Sequence, residues 1–352
     1  MTSLLALCAV APTYWHGVDA SFIPEYRDLK TTFLVGEKKE DALSIFAHAG
    51  SNLLRLRVWV NPPKGYCDLA HTLKLAKEAK ALGMKVLLNF HYSDDWADPQ
   101  HQVVPAAWKN YDLTQLAKAT QDHSFAVTKA LVDQGTPPAM IQVGNEIRVG
   151  MEWPLGKLIS DLSYDALATL LRAGVSGVER AMPKKSSYQI MIHHDQGGSL
   201  IPCTKFYAEL ERRKVRFDVI GLSYYPWWHG KLNDLTQTVD GLSRVFDRDV
   251  MVVETAYPFT RDGADRTGNF VWEKTDLNCE YPATKEGQVA FLNRVNSIVH
   301  AVPNGHGRGV VYWAPEYVAQ PGIQTPYENL ALFDFEHRVL PGLASLCERK
   351  GG

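Results

Sequence analysis

The sequence reads as a single (β/α)8 barrel of the α/β class. Eight short apolar, strand-like runs alternate with longer amphipathic runs along the whole chain, and the segments that follow the strands are long and aromatic. No Gly-rich phosphate loop follows an early strand, which argues against the alternative of an open doubly wound sheet.

The strand candidates run from Tyr14 to Asp19, Leu53 to Val60, Lys85 to His91, Ala139 to Asn145, Tyr188 to His193, Phe217 to Ser223, Val250 to Glu254 and Gly309 to Trp313. Helical periodicity fills the intervals: Lys39 to Ala49, Leu69 to Leu82, Leu113 to Gln134, Tyr164 to Ala181, Lys205 to Arg213, Leu235 to Phe246, Lys285 to Ala301 and Leu340 to Cys347. Gly50, Gly83 and Gly135 follow three of these helices, where left-handed C-terminal caps are expected. The segments Asn89 to Trp108, Arg148 to Ser163, Tyr224 to Leu235 and Thr255 to Glu280 then become β-to-α loops, the side of a barrel that carries its active site. No linker, low-complexity stretch or repeat divides the chain, so residues 13–352 are read as one catalytic domain.

Residues 1–12 are apolar and end near an Ala-x-Ala string but lack a basic start. They read as a remnant of a secretion signal or an N-terminal extension, and the protein as secreted or periplasmic. No later stretch reaches the roughly eighteen consecutive apolar residues of a membrane span.

The 352 residues are 45% hydrophobic and 11% aromatic, ample for a large core, and Trp or Tyr in loops can stack on the apolar faces of sugars. A formal net charge of −2 without a basic run gives no support to a nucleic-acid partner. A neutral polymer suits the chain better, and it is read as a monomer. Of the five cysteines, Cys8, Cys67, Cys203, Cys279 and Cys347, none has metal-ligand spacing. One or two disulfides among the last four remain open, with no pairing readable from sequence.

The chemistry is carried by Val143-Gly-Asn-Glu-Ile147 and Val252-Val-Glu-Thr255, in each of which an apolar run ends in a glutamate. Glycoside cleavage needs one protonated carboxyl group to assist the leaving oxygen and one ionised group to attack the anomeric carbon or activate water. At the ends of strands four and seven of one barrel, Glu146 and Glu254 would face a common pocket roughly 5 Å apart, the separation of a retaining enzyme. Arg57, ending the second strand, is expected to keep Glu254 ionised, with Arg55 in the same phase but deeper. Asn145 is positioned to donate to a sugar 2-hydroxyl, and either Tyr224 or Tyr225 to hydrogen-bond the nucleophile, since strand alternation lets only one point inward. Trp313 should floor the site of the cleaved sugar, and Trp96 should help line the groove at a more remote position.

His16, His91, His193 and His194 fall near strand ends and raise a second class, the barrel metallohydrolase. Such an enzyme normally shows His-x-His on its first strand, where Tyr14-Trp-His-Gly-Val-Asp19 has a single histidine. A sugar-binding barrel without catalysis is a third reading, and the presence of both glutamates argues against it.

The motifs resemble glycoside hydrolase family 53, the endo-β-1,4-galactanases, within the clan of retaining (β/α)8 glycosidases. The matching strings include Gly17-Val-Asp-Ala-Ser21, Arg55-Leu-Arg-Val-Trp-Val-Asn-Pro62, His91-Tyr-Ser-Asp-Asp-Trp-Ala-Asp-Pro99, Gln142-Val-Gly-Asn-Glu-Ile-Arg148, Met191-Ile-His193, Gly221-Leu-Ser-Tyr-Tyr-Pro226 and Val252-Val-Glu-Thr-Ala-Tyr-Pro258. The resemblance implies endo-hydrolysis of β-1,4-galactan in type I arabinogalactan with retention, Glu146 as acid/base and Glu254 as nucleophile, and no required cofactor. It also places Asp19, His91, Asp94 and His193 among the substrate-binding residues. Some bacterial members hold calcium in the loop after strand seven. Here Asp265 and Asn269 match that pattern, while Thr267 stands in place of the histidine.

Overall fold

The computed structural model describes residues 13–347; the segment read as a secretion remnant, with Cys8, lies outside the described residues. The strands β1 (Trp15–Asp19), β2 (Leu53–Val58), β3 (Lys85–Phe90), β4 (Met140–Val143), β5 (Gln189–His194), β6 (Val219–Tyr224), β7 (Asp249–Thr255) and β8 (Gly307–Trp313) form a closed parallel barrel. β1 closes the ring by pairing with β8, Asp19 lying beside Trp313. All eight predicted strands are present, with ends shifted by a few residues.

The helices α1 (Ala42–His48), α2 (Leu69–Ala81), α3 (Leu113–Asp133), α4 (Tyr164–Ala181), α5 (Leu200–Arg212), α6 (Leu232–Phe246), α7 (Lys285–His300) and α8 (Gly342–Cys347) surround the barrel. Asp41, Asp68, Asp112 and Thr284 accept backbone N–H groups at four helix starts, and Gly50, Gly83 and Gly135 have the positive φ expected of caps. Three helix starts differ from the periodicity by three residues or more, α6 beginning at Leu232 rather than Leu235. Lys38–Glu40 pairs antiparallel with Phe33–Val35, because the Asp41 cap starts α1 only after it. α5 begins five residues before Lys205: Pro202 lies in its first turn, where a missing N–H costs no hydrogen bond.

Period-two alternation divides each strand between two apolar layers. Val18, Leu54, Leu56, Leu88, Ile141, Ile192, Ile220 and Val252 face the helices and join the main core. Leu53, Leu87, Met140, Met191, Val219, Met251, Val253 and Val311 fill the barrel's lower interior, with Trp15 against them. Higher on the same inward rows stand Asp19, Arg55, Asn89, Gln142, His193 and Ser223, all buried. The barrel is therefore plugged with hydrocarbon below and polar at its C-terminal mouth.

The four described cysteines are free. Cys67 lies beside Arg57, Cys203 beside His194, Cys279 beside Glu280 and Cys347 beside Ser51, so the disulfides left open by the sequence do not form: the thiols sit in four separate environments.

α3 and α4 touch closely at Gly177. A Cβ there would overlap the Gln121 carbonyl oxygen and press on Ser124 Cβ at 2.8 Å. Alanine improves helix propensity by about 1 kcal/mol, whereas overpacking against backbone costs about 1–3 kcal/mol. Gly177→Ala should therefore lower the urea midpoint; an unchanged or higher midpoint would show that the helices separate freely.

Candidate active site

Arg55 occupies the centre of the barrel mouth with no exposed surface, and all five of its N–H groups are used. Nη1 donates to Asp19 Oδ2 at 2.8 Å and to Glu254 Oε1 at 2.6 Å. Nη2 donates to Asn145 Oδ1 at 2.8 Å and to Gln142 Oε1 at 3.0 Å, and Nε donates to Gln142 Oε1 at 3.1 Å. This corrects the expectation that Arg57 reaches Glu254. Arg55 is deeper, and that depth lets one guanidinium span β1, β4 and β7. Arg57 instead lies in an aromatic cage, 4.1 Å from the Trp96 ring centroid and 4.8 Å from those of Phe22 and Trp59.

Glu254 reaches Arg55 through an irregularity in β7. Val252 pairs with Leu222 and with Val310, yet Thr255 pairs with Tyr224 and with Tyr312, so β7 carries one extra residue against both neighbours. Strict alternation from Met251 would send Val253 and Thr255 inward and Glu254 out. The bulge puts Val253 in the inner core and also turns Glu254 toward the mouth. Tyr225 Oη donates to the second Glu254 oxygen at 3.4 Å, while Tyr224 Oη donates to the Gly230 carbonyl at 2.9 Å and its ring stacks on Phe291. Of the two tyrosines, Tyr225 is the one at the site.

Glu146 follows β4 in a left-handed conformation, φ 49° and ψ 49°, a strained geometry for a residue with a Cβ. Its backbone N–H donates to His193 Nδ1 at 3.3 Å, and its Oε1 accepts from Ser223 Oγ at 2.6 Å. Asn145 is fixed from both ends: Oδ1 must face the Arg55 donor, and Nδ2 donates to the Ala97 carbonyl at 2.8 Å. One Nδ2 hydrogen remains beside the cavity that Asn145 lines.

Burial raises the Glu146 carboxyl well above its ordinary range, and the neighbouring charges of Glu254 and Asp195 add to the rise. Burial also raises Glu254, but there Arg55 acts in the opposite direction. A guanidinium at 2.6 Å supports the ionised form of Glu254, whereas the nearest partner of Glu146 is a neutral hydroxyl. The proton the pair retains therefore resides on Glu146. His91 and His193 are held well below the ordinary imidazole value, first by burial and then by nearby arginines, and are neutral.

Both glutamates open onto a cleft of about 600 Å³, lined also by His91, Trp96, Asn145, Tyr225 and Trp313. Trp96 and Trp313 have ring centroids 6.0 Å apart, so Trp96 stands close to Trp313 rather than at a distant position. The far aromatic wall is Trp228 against Phe270, centroids 5.4 Å apart, both about half exposed. Asp19 and His193 sit beneath the cleft. Asp94 does not line it: its Oδ2 accepts the Ala106 N–H at 2.8 Å and fastens the loop after β3.

Sequence reasoning missed Gln142, Ser223, Asp98, Arg148, Asp195 and Tyr327. Gln142 and Ser223 could have been found from their inward phase on β4 and β6. Arg148 and Asp195 form an ion pair at 3.0 Å on the cleft wall, and Tyr327 donates to the Trp313 carbonyl at 2.9 Å with its ring edge-on to the indole.

The suggested calcium ligands are engaged with protein groups. Asp265 spends its two oxygens on the N–H groups of Thr267 and Thr325, and the Asn269 amide is best placed donating to Glu328. Among the described residues no group of three or more His, Cys, Asp or Glu is arranged for a metal. The histidines that suggested a metallohydrolase diverge: His16 Nδ1 meets the Leu346 carbonyl below the barrel, and His194 packs on Phe206 outside it.

Arg55→Met should leave Asp19 and Glu254 buried without their counter-charge, at a cost of about 3–5 kcal/mol in urea unfolding. A loss below about 1 kcal/mol would mean that water already reaches these carboxylates.

The profile described as "Glycosyl hydrolase family 53" matches residues 15–346. An arabinogalactan endo-beta-1,4-galactanase of Cellvibrio japonicus is 34% identical over 94% of this chain and 91% of its own length. A probable arabinogalactan endo-beta-1,4-galactanase A of Aspergillus terreus is 35% identical over 94% of each. The solved Ignisphaera aggregans GH53 catalytic domain superposes with a TM-score of 0.89 at 33% identity, covering 97% of both chains.

Proposed function

This chain belongs to glycosyl hydrolase family 53, and from that membership together with the site geometry we infer that it is an endo-β-1,4-galactanase, cutting inside the β-1,4-galactan of type I arabinogalactan with retention at the anomeric carbon. The observation that supports the chemistry best is a pair of carboxyls, Glu146 in the turn after β4 and the buried Glu254 on β7, facing one cleft with opposite partners.

In the first step Glu254, kept charged by Arg55, attacks the anomeric carbon while Glu146 gives its proton to the departing glycosidic oxygen. The bond to that oxygen breaks as a galactosyl ester forms on Glu254. In the second step Glu146, now ionised, takes a proton from water, which displaces Glu254 from the same face that the leaving group left. The free Asn145 amide hydrogen is placed for the sugar 2-hydroxyl, a contact that strengthens as oxocarbenium character develops. Trp313 offers an apolar face beneath the reacting sugar, held by Tyr327. Neither step calls for a cofactor. The substrate is a cell-wall polymer, so action outside the cell suits it, and a single chain contains every group the mechanism uses.

Incubation with β-1,4-galactan should drop viscosity early and release oligosaccharides of mixed length. Intact galactan alongside cut mannan or cellulose would leave only the retaining barrel chemistry standing.

Glu254→Ala should abolish turnover and regain part of it with azide, giving an α-configured glycosyl azide. Glu146→Ala should still react with substrates carrying good leaving groups, and azide should then give the β product. A β-configured azide from the Glu254 variant would reverse the two roles.

A further inference from the structure

A retaining acid/base must let its proton go in the first step and stand ionised in the second. Burial alone works against that ionised state at Glu146. The side chain that relieves it is Ser223, on the inward face of β6, whose hydroxyl lies 2.6 Å from Glu146 Oε1.

The direction of that hydrogen bond follows from a backbone atom. The Glu146 N–H can only donate, and its acceptor is His193 Nδ1 at 3.3 Å. Gln142 Nε2 at 3.1 Å and Asn145 Oδ1 at 3.2 Å also approach this nitrogen, but the Gln142 hydrogens have the Gly144 carbonyl and Asn145 Oδ1 as acceptors and that oxygen already accepts from Arg55, so the Glu146 N–H makes Nδ1 the acceptor. A neutral imidazole that accepts at Nδ1 carries its hydrogen on Nε2. Nε2 lies 2.9 Å from Ser223 Oγ, so the serine oxygen accepts there and its hydrogen is directed at Glu146. His193 and Ser223 are both fully buried, and neither borders the cleft.

We propose that His193 and Ser223 are positioning residues for the acid/base: His193 fixes the serine rotor, and the serine hydroxyl stabilises the ionised Glu146 needed between the two steps. This rests on the reading of Glu146 as acid/base. The charged groups facing Glu146 are Glu254 from β7, Asp195 from the loop after β5, with its partner Arg148, and Asp98 from the loop after β3. The three carboxylates oppose its ionisation. Ser223 gives Glu146 a hydrogen bond that favours it.

The sign is definite: a donor to the carboxylate lowers its pKa, so removing that donor raises it. The alkaline limb of kcat/KM on galactan reports loss of the Glu146 proton in the free enzyme. In Ser223→Ala that limb should move up by about one pH unit, as expected for a lost hydrogen bond to a charged group, with the acid limb in place. His193→Asn keeps an acceptor near the Nδ1 position and removes the donor to Ser223. It should move the limb the same way by less, and in the Ser223→Ala background it should add nothing. Ser223→Cys, close in volume and a poorer donor, should follow the alanine variant and replaces it if circular dichroism shows the alanine protein unfolded. An unmoved or lowered alkaline limb in folded Ser223 variants, or additive shifts from the two sites, would overturn the proposal. Glu146→Ala separates the two levels. If it keeps wild-type turnover on galactan, the acid/base reading itself fails; if it loses turnover while the serine variants keep the normal limb, only the relay fails.

Discussion

The site depends on one buried cation. Arg55 has no access to water, and a guanidinium in that position is tolerated only because two carboxylates and two side-chain amides accept every hydrogen it offers. Those acceptors come from β1, β4, the turn after β4 and β7. Strands on opposite sides of the barrel are thus drawn to a common point, and the mouth cannot relax around one of them without exposing charge at another. The same bonds set the chemistry apart on the two sides of the cleft. Glu254 is the carboxylate that touches Arg55; Glu146 is the one that does not.

Local strain serves this arrangement. The extra residue in β7 lets Val253 stay in the lower core while Glu254 turns to the arginine, and the left-handed backbone at Glu146 swings its carboxyl from the end of β4 toward Ser223. Both glutamates are then held by neighbours that are themselves fixed, His193 and Ser223 for Glu146 and Arg55 and Tyr225 for Glu254. The aromatic surfaces above are less constrained. Trp228 and Phe270 are half exposed on long loops, as suits a groove that must accept a polymer from solvent.

Much of this was legible in the sequence. The eight strands could be read because each is an apolar run between helical patterns, and the two glutamates because each terminates such a run. What escaped was information that periodicity does not carry. Arg55 and Arg57 share a phase, so only depth in the barrel separates them, and Tyr224 and Tyr225 differ by the single residue at which β6 ends. A bulge leaves no mark in hydrophobic alternation, and strict alternation would have turned Glu254 away. The helical pattern read from Lys205 missed the first turn of α5, which contains Pro202, a residue tolerated there because its missing N–H costs no hydrogen bond. The pairing of Trp96 with Trp313 is a contact between loops of distant sequence, beyond any local pattern.

The central claim is that Arg55 divides the two carboxyls, leaving Glu254 charged and the proton on Glu146. A pH titration of the protein with ¹³C-labelled glutamate side chains, assigned with Glu146→Gln and Glu254→Gln variants, measures this directly. On raising the pH, Glu254 should ionise first and Glu146 at higher pH, and the Glu146 step should move down in the Glu254→Gln protein because a like charge has been removed. Ionisation of Glu146 before Glu254, or a Glu146 step indifferent to the Glu254 substitution, would contradict the account.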